Sequence, residues 1–188
     1  MKPVTTSILT ILLLCLTISS AIASSTMAQK PLSYHDGYIE LDQGNFHNAF
    51  VTFQRLAEQG DARSQNELGF MHLVGFDGKQ NFKAAAKWFR RAAEQGLARA
   101  QFNLGELYET GRGVPQSNVK ALKWFWITAL MAQRNQRRDL AKSKISILER
   151  PLTLTARKQA RDQACVWLQN AKSRLKLSVA DMSVCANG

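Results

Sequence analysis

A constant offset of 36 residues runs through the middle of this chain, and it limits the possible folds more than any other feature of the sequence. The stretch 62–96 matches the stretch that begins at 98: Gln65 pairs with Gln101, Leu68 with Leu104, Gly69 with Gly105, Gly75 with Gly111, Ala85 with Ala121, Lys87 with Lys123, Trp88 with Trp124 and Phe89 with Phe125. Self-similarity at such a period marks an array of stacked supersecondary units, none of which can enclose its apolar face alone. The offset also runs backwards. Asn45 and Phe46 lie 36 residues before Asn81 and Phe82, Ala49 lies 36 before Ala85, and the tetrapeptide AEQG recurs at Ala57 and Ala93. An earlier partial unit is therefore expected over 34–61, its first helix near 34–41 and a shorter turn at 42–44.

Within a unit the apolar spacing is helical: Ala85, Trp88, Phe89, Ala92 and Ala93 fall at i, i+3, i+4, i+7 and i+8, which places them on one buried face. Asn45, Asn81 and Ser117, again 36 apart, are residue types whose side chains cap a helix start. Gly60, Gly75, Gly96 and Gly111 stand where helices should stop, since glycine tolerates the left-handed geometry that often closes them. Each unit reads as two antiparallel helices. Gly69 and Gly105 differ because they lie inside a helix, where glycine costs about 1 kcal/mol relative to alanine. Close approach of the partner helix is the expected compensation, with the ring of Trp88 or Trp124 as neighbour.

The run from Ala98 to Val114, of the form A-x-A-Q-x-x-L-G-x-x-Y-x-x-G-x-G-V, followed by A-x-x-W-F from Ala121 to Phe125, resembles Sel1-like repeats, which are related to tetratricopeptide repeats. The resemblance covers 62 to about 130 well and 34–61 in part. The first full unit departs from it, with His72 for the tyrosine and Phe76, Asp77 and Gly78 in the turn, which leaves the shape of that turn open. The resemblance implies an all-α, right-handed solenoid of antiparallel helix pairs, with Leu68, Gly69, Gly75, Trp88 and their counterparts Leu104, Gly105, Gly111 and Trp124 as structural positions. It also implies a scaffold for protein complexes, of the kind that in bacteria is often exported.

A stack of helix pairs needs covers at its ends. In the second full unit, 98–130, Trp126 and Ile127 replace Arg90 and Arg91, so that helix requires partners on two sides. Residues 131–176 are expected to supply them: one helix near 136–149 with Leu140, Ile147 and Leu148 apolar, then Pro151, then one near 155–174 with Ala156, Ala160, Ala164, Trp167, Leu168 and Ala171 in step, capped by Thr153 or Thr155. A tail, 177–188, follows. At the other end, Lys2, an apolar run over 8–18 and the small residues Ala21 and Ala23 read as a signal peptide cleaved near Ala23, with 24–33 as linker. The run is too short to span a bilayer, which takes about 20 apolar residues. Cys15 follows Leu14 rather than a small residue, which argues against lipid attachment. Export to the periplasm or beyond places Cys165 and Cys185 where disulfides persist, and an even count there favours a bridge over two unrelated thiols.

No catalytic constellation emerges. His35, His47 and His72 lack zinc-type spacing, the glycines at 111 and 113 lack a phosphate-loop context, and no nucleophile elbow is present. Neither a metal nor a cofactor is expected, and the chain is not read as an enzyme. A β-lactamase-like or cell-wall activity is the third choice; the Sel1-like proteins linked to β-lactams carry a disulfide in every repeat, and this chain has none there. The leading reading is a scaffold that binds a protein through a groove lined by the first helix of each pair. Candidate contacts are Phe70 and Leu73, which replace Glu106 and Glu109 of the next unit, together with those two acids and Phe102; burial by the preceding pair is the competing account of the apolar three. The runner-up is binding to an anionic envelope component, lipid headgroup or cell-wall polymer, through Arg134, Arg137, Arg138, Lys142, Lys144, Arg157, Lys158 and Arg161. Residues 131–188 hold 12 Lys and Arg against 4 Asp and Glu, whereas 24–130 hold 12 against 10. Such a field attracts anions, although a solvated cover for the end of the stack accounts for the same charges. Export and sparse aromatic interleaving argue against nucleic acid.

Overall fold

The computed structural model describes residues 31–76, 78–132, 136–177 and 185. The expected signal peptide, Asp77, Arg134 and most of the tail lie outside the described residues. Among those described, the chain forms eight helices and no strand: α1 (Tyr34–Asp42), α2 (Phe46–Glu58), α3 (Ala62–Val74), α4 (Phe82–Glu94), α5 (Ala98–Thr110), α6 (Asn118–Met131), α7 (Gln136–Glu149) and α8 (Leu154–Leu175). Each helix from α1 to α6 packs on the next, and α8 returns to pack on α6, giving an all-α solenoid of helix hairpins.

Local chemistry sets the boundaries. Ser33 opens α1 with a capping box, its side chain accepting from the Asp36 N–H while the Asp36 carboxylate accepts from the Ser33 N–H. Asp61, Asn81, Ser117 and Thr153 accept from the N–H groups of Ser64, Ala84, Lys120 and Ala156 at 2.7, 3.0, 3.3 and 3.2 Å. Asn45 departs from expectation. It holds the cap position of α2 but its side chain accepts no helix N–H, and its amide donates to Gln43 Oε1 in the short turn. Gly75 and Gly111 close α3 and α5 at φ 81° and 72°, each N–H donating to the carbonyl four residues back. The divergent turn of the first full unit closes as its counterpart does, with Asn81 N donating to His72 O at 2.8 Å and Ser117 N to Tyr108 O at 2.9 Å.

Phe53, Phe89 and Phe125 recur every 36 residues and are completely buried. Each ring lies against a glycine of the preceding helix. A Cβ built on Gly37, Gly69 or Gly105 would stand 2.7, 2.8 or 2.7 Å from the nearest ring carbon of Phe53, Phe89 or Phe125. This corrects the expectation for Trp88 and Trp124. The atoms nearest each glycine are those of the phenylalanine ring, while Trp88 lies under the Arg91 guanidinium and Trp124 edge-on to Trp167. Gln65 and Gln101 provide a second recurrent tie, their amides donating to Ala57 O and Ala93 O at the end of the preceding helix. Each of these carbonyls also accepts from the N–H of the glycine after the helix, Gly60 or Gly96, so the amide occupies its second lone pair.

At the C-terminal end, α6 packs against α5, α7 and α8, and Ile127 is completely buried. Helix α7 buries Ala141, Ile145 and Leu148. Leu140 and Ile147, expected on that face, are exposed, because each is offset by one residue, about 100° of helix rotation, from the stripe at i, i+4 and i+7. Helix α8 buries Ala160, Ala164, Leu168 and Ala171, and Arg174 Nη2 donates to Glu94 O at 2.7 Å, tying its end to the first full unit. Cys165 and Cys185 form a disulfide with Cα atoms 5.6 Å apart, and Cys185 packs on the core.

Two outcomes are expected from this packing. Gly105→Ala should destabilise the protein by about 1–3 kcal/mol in urea unfolding, the overpacking against Phe125 outweighing the helix propensity gained; an unchanged or higher midpoint would mean that the ring yields freely. Reduction of the disulfide should remove about 3 kcal/mol of loop-closure stabilisation, with amide exchange accelerating in α8 and not in α3 to α6.

Candidate functional site

A cleft of about 310 Å³ opens among Asn66, Glu67 and Phe70 of α3, Arg99 and Asn103 of α5, and Arg137 of α7. Helical spacing gathers them, since 66 and 70 on α3, like 99 and 103 on α5, are four apart and share a face. Glu67 Oε1 is the hub: it accepts from Tyr34 Oη at 3.3 Å, Asn66 Nδ2 at 3.3 Å and Arg99 Nη1 at 3.2 Å. Asn103 Nδ2 donates to Asn66 Oδ1 at 3.2 Å. The first helices of three successive hairpins are thus cross-linked by polar side chains. Burial, reinforced by the Glu67 carboxylate, pushes the Tyr34 hydroxyl up to about 12, so it remains a donor at neutral pH. Phe70 stands in this polar setting with 44% of its surface exposed.

The other groove candidates fare differently. Phe102 is buried, its ring 5.3 Å from that of Phe125 and covered by the Arg137 guanidinium, so it belongs to the core and is not a presented contact. Leu73 is half-buried against the main core cluster, where a groove-facing position was expected. Glu106 and Glu109 are partly buried and turn toward α7, where Lys144 Nζ lies 2.6 Å from Glu109 Oε2. Burial raises the Glu106 carboxyl above its ordinary range; Lys144 and Arg137 oppose the shift and Glu109 adds to it.

The eight basic candidates do not form one field. Arg134 lies outside the described residues. Arg137 lines the cleft, and Lys144 is engaged with Glu109, so neither belongs to a free cationic surface. Lys158 lines an open hollow of about 550 Å³ along the outer face of α8, beside Lys123, Asp162 and Trp167. Lys142 and Arg157 line a third hollow near Trp126. Arg138 and Arg161 are partly buried on α7 and α8. Two consecutive helices carry their charges all round, and packing divides them among separate faces.

Asn66, Glu67, Arg99 and Asn103 were not singled out in the sequence. The signal was nonetheless present for three of them: Asn66 and Glu67 stand where the next unit has Phe102 and Asn103, and such breaks in the repeat are what pointed to Phe70. Among the described residues no group of three His, Cys, Asp or Glu is placed to hold a metal ion, and no helix is long and apolar enough to cross a membrane.

The Glu106 environment makes a pH-dependent prediction. A carboxyl raised in the folded state contributes full stability below its unfolded value and loses some as pH rises through the folded one. Glu106→Gln should therefore gain stability relative to the parent at pH 7 compared with pH 4. An equal difference at both, measured by urea unfolding, would contradict the assignment.

Against known proteins, residues 62–97 and 98–125 match the Sel1 repeat family model, so the chain carries two Sel1 repeats. No curated protein matches it. Among solved structures it is similar to c5321, a protective antigen present in uropathogenic Escherichia coli strains that displays an SLR fold, with 28% identity and a TM-score of 0.65 over 77% of this chain and 32% of that one. It is also similar to a Sel1 repeat protein from Oxalobacter formigenes, with 27% identity and a TM-score of 0.58 over 75% of this chain and 55% of that one. The chain thus spans about a third of the first protein and just over half of the second.

Proposed function

From two Sel1 repeats, a module that generally mediates protein–protein interaction, we propose that this chain is an exported scaffold whose α3–α5–α7 cleft receives a segment of a partner protein. The observation that carries the reading is Phe70: a large aromatic ring left 44% exposed beside an ordered ring of amide, carboxylate and guanidinium groups. An apolar anchor with a polar rim is the usual composition of an interface hot spot. Asn66, Asn103 and Arg99 are already held in place, so main-chain carbonyls of a partner would meet donors that need little further ordering. The sequence of residues 1–23 and the disulfide support export, to the periplasm or the medium outside. The proposed role is binding rather than catalysis, in keeping with a family that consists typically of non-enzymatic scaffolds.

The test is affinity capture from the native envelope with the signal-free protein as bait, followed by titration of the retained partner. Phe70→Ala should weaken the complex by about 2 kcal/mol, roughly 30-fold, with the thermal transition of the protein unchanged. Retained affinity after substitution of Phe70, Arg99 and Asn103 together would refute the cleft as the binding surface.

A further inference from the structure

The third hollow, of about 540 Å³, is independent of the cleft. It is walled by Trp126 of α6, by Lys142, Ile145, Ser146 and Glu149 of α7, and by Arg150 and Arg157 around the turn into α8. Its size lies within the range of small-ligand sites, about 300–1,000 Å³. Positions 142, 146, 149 and 150 follow i, i+4, i+7 and i+8, so a single stripe continuing from α7 presents them together. Three cations and one carboxylate line it, and the ion pairs among the described residues, Arg99 with Glu67 and Lys144 with Glu109, do not involve Lys142 or Arg150. Arg157 is pinned to the wall by its Nε, which donates to Leu152 O at 3.0 Å and leaves both terminal nitrogens as donors.

Trp126 adds a different kind of observation. It stands where the preceding unit has Arg90, and its indole Nε1 is buried without an acceptor. An orphan donor of this kind is destabilising, and an acceptor brought into the hollow would relieve it. Apart from Glu149 and the Ser146 hydroxyl, the polar groups of the wall can only donate.

We propose that this hollow is a binding site for a phosphate group, presented either free or on a lipid headgroup. Phosphate fits better than carboxylate because the donors converge from three helices, which suits a tetrahedral acceptor with several oxygens; a carboxylate is saturated by one guanidinium fork.

The experiment follows the indole N–H resonances of the four tryptophans in the purified protein, with Trp126→Phe identifying one of them, during titration with sodium phosphate at low ionic strength against a sodium chloride control. The expected result is a saturable shift of the Trp126 signal with phosphate alone. Lys142→Gln combined with Arg150→Gln, both at exposed positions, should weaken it by about tenfold or more, as loss of charge-assisted bonds requires. A shift reproduced by chloride, a shift that never saturates, or one untouched by the double substitution would overturn the proposal. Sedimentation with phosphatidylglycerol and phosphatidylcholine vesicles then separates the sources. Binding to the anionic vesicles that the double variant loses identifies a headgroup, and phosphate binding without vesicle binding identifies a free ligand. Vesicle binding that survives the double variant in the absence of a phosphate response counts against the site. The cleft is untouched by these substitutions, so the scaffold reading stands or falls separately.

Discussion

The structure depends on the seating of a phenylalanine ring in the gap left by a glycine one helix earlier. Phe53 against Gly37, Phe89 against Gly69 and Phe125 against Gly105 draw the two helices of each hairpin closer than any side chain on the first helix would allow. Helix propensity alone would select alanine at these glycines. The gain that outweighs propensity is dense packing of a completely buried ring, repeated in each hairpin, and the solenoid follows because each closed hairpin offers the next a similar surface.

That closeness also decides what the first helices present to solvent. With the glycine fixed against the ring, the residues before it, Asn66 and Glu67 on α3 and Asn103 on α5, face the gap between successive hairpins, where Glu67 joins Tyr34 and Arg99. Glu67 thus links its unit to both neighbours, through Tyr34 and Arg99, and leaves the adjacent Phe70 as the large apolar group in the cleft. Phe102 packs on Phe125 of its own hairpin and Leu73 rests half-buried on the main core cluster, so neither is presented as Phe70 is.

The C-terminal cover shows how burial redistributes charge. Helices α7 and α8 are needed because α6 is apolar on two sides, and docking them fixes which cations are engaged and which are presented. Lys144 meets Glu109 and Arg137 covers Phe102, while Lys142 and Arg150 are left along one stripe beside Trp126. A basic segment thereby becomes a few local environments in place of one electrostatic face.

The architecture was legible because it is written as periodicity: the offset of 36 and the 3.6-residue apolar spacing, together with the cap residues at 81, 117 and 153, follow from local geometry that any copy of the unit must obey. Gly37 escaped notice because the short first turn moves it to 32 residues before Gly69, and in that same turn the Asn45 side chain is directed to Gln43 and accepts no helix N–H. Which ring fills the glycine gap, which side of α7 is buried and which charges are paired were settled only by tertiary structure. Trp88 and Phe89, or Leu140 and Ala141, are adjacent in sequence and similar in apolar character, and one residue is about 100° of helix rotation. The sequence determined that this chain would stack helix hairpins; only the packed neighbours decided their rotation, because rotation is set by side-chain fit across the interface and not by anything local to one helix.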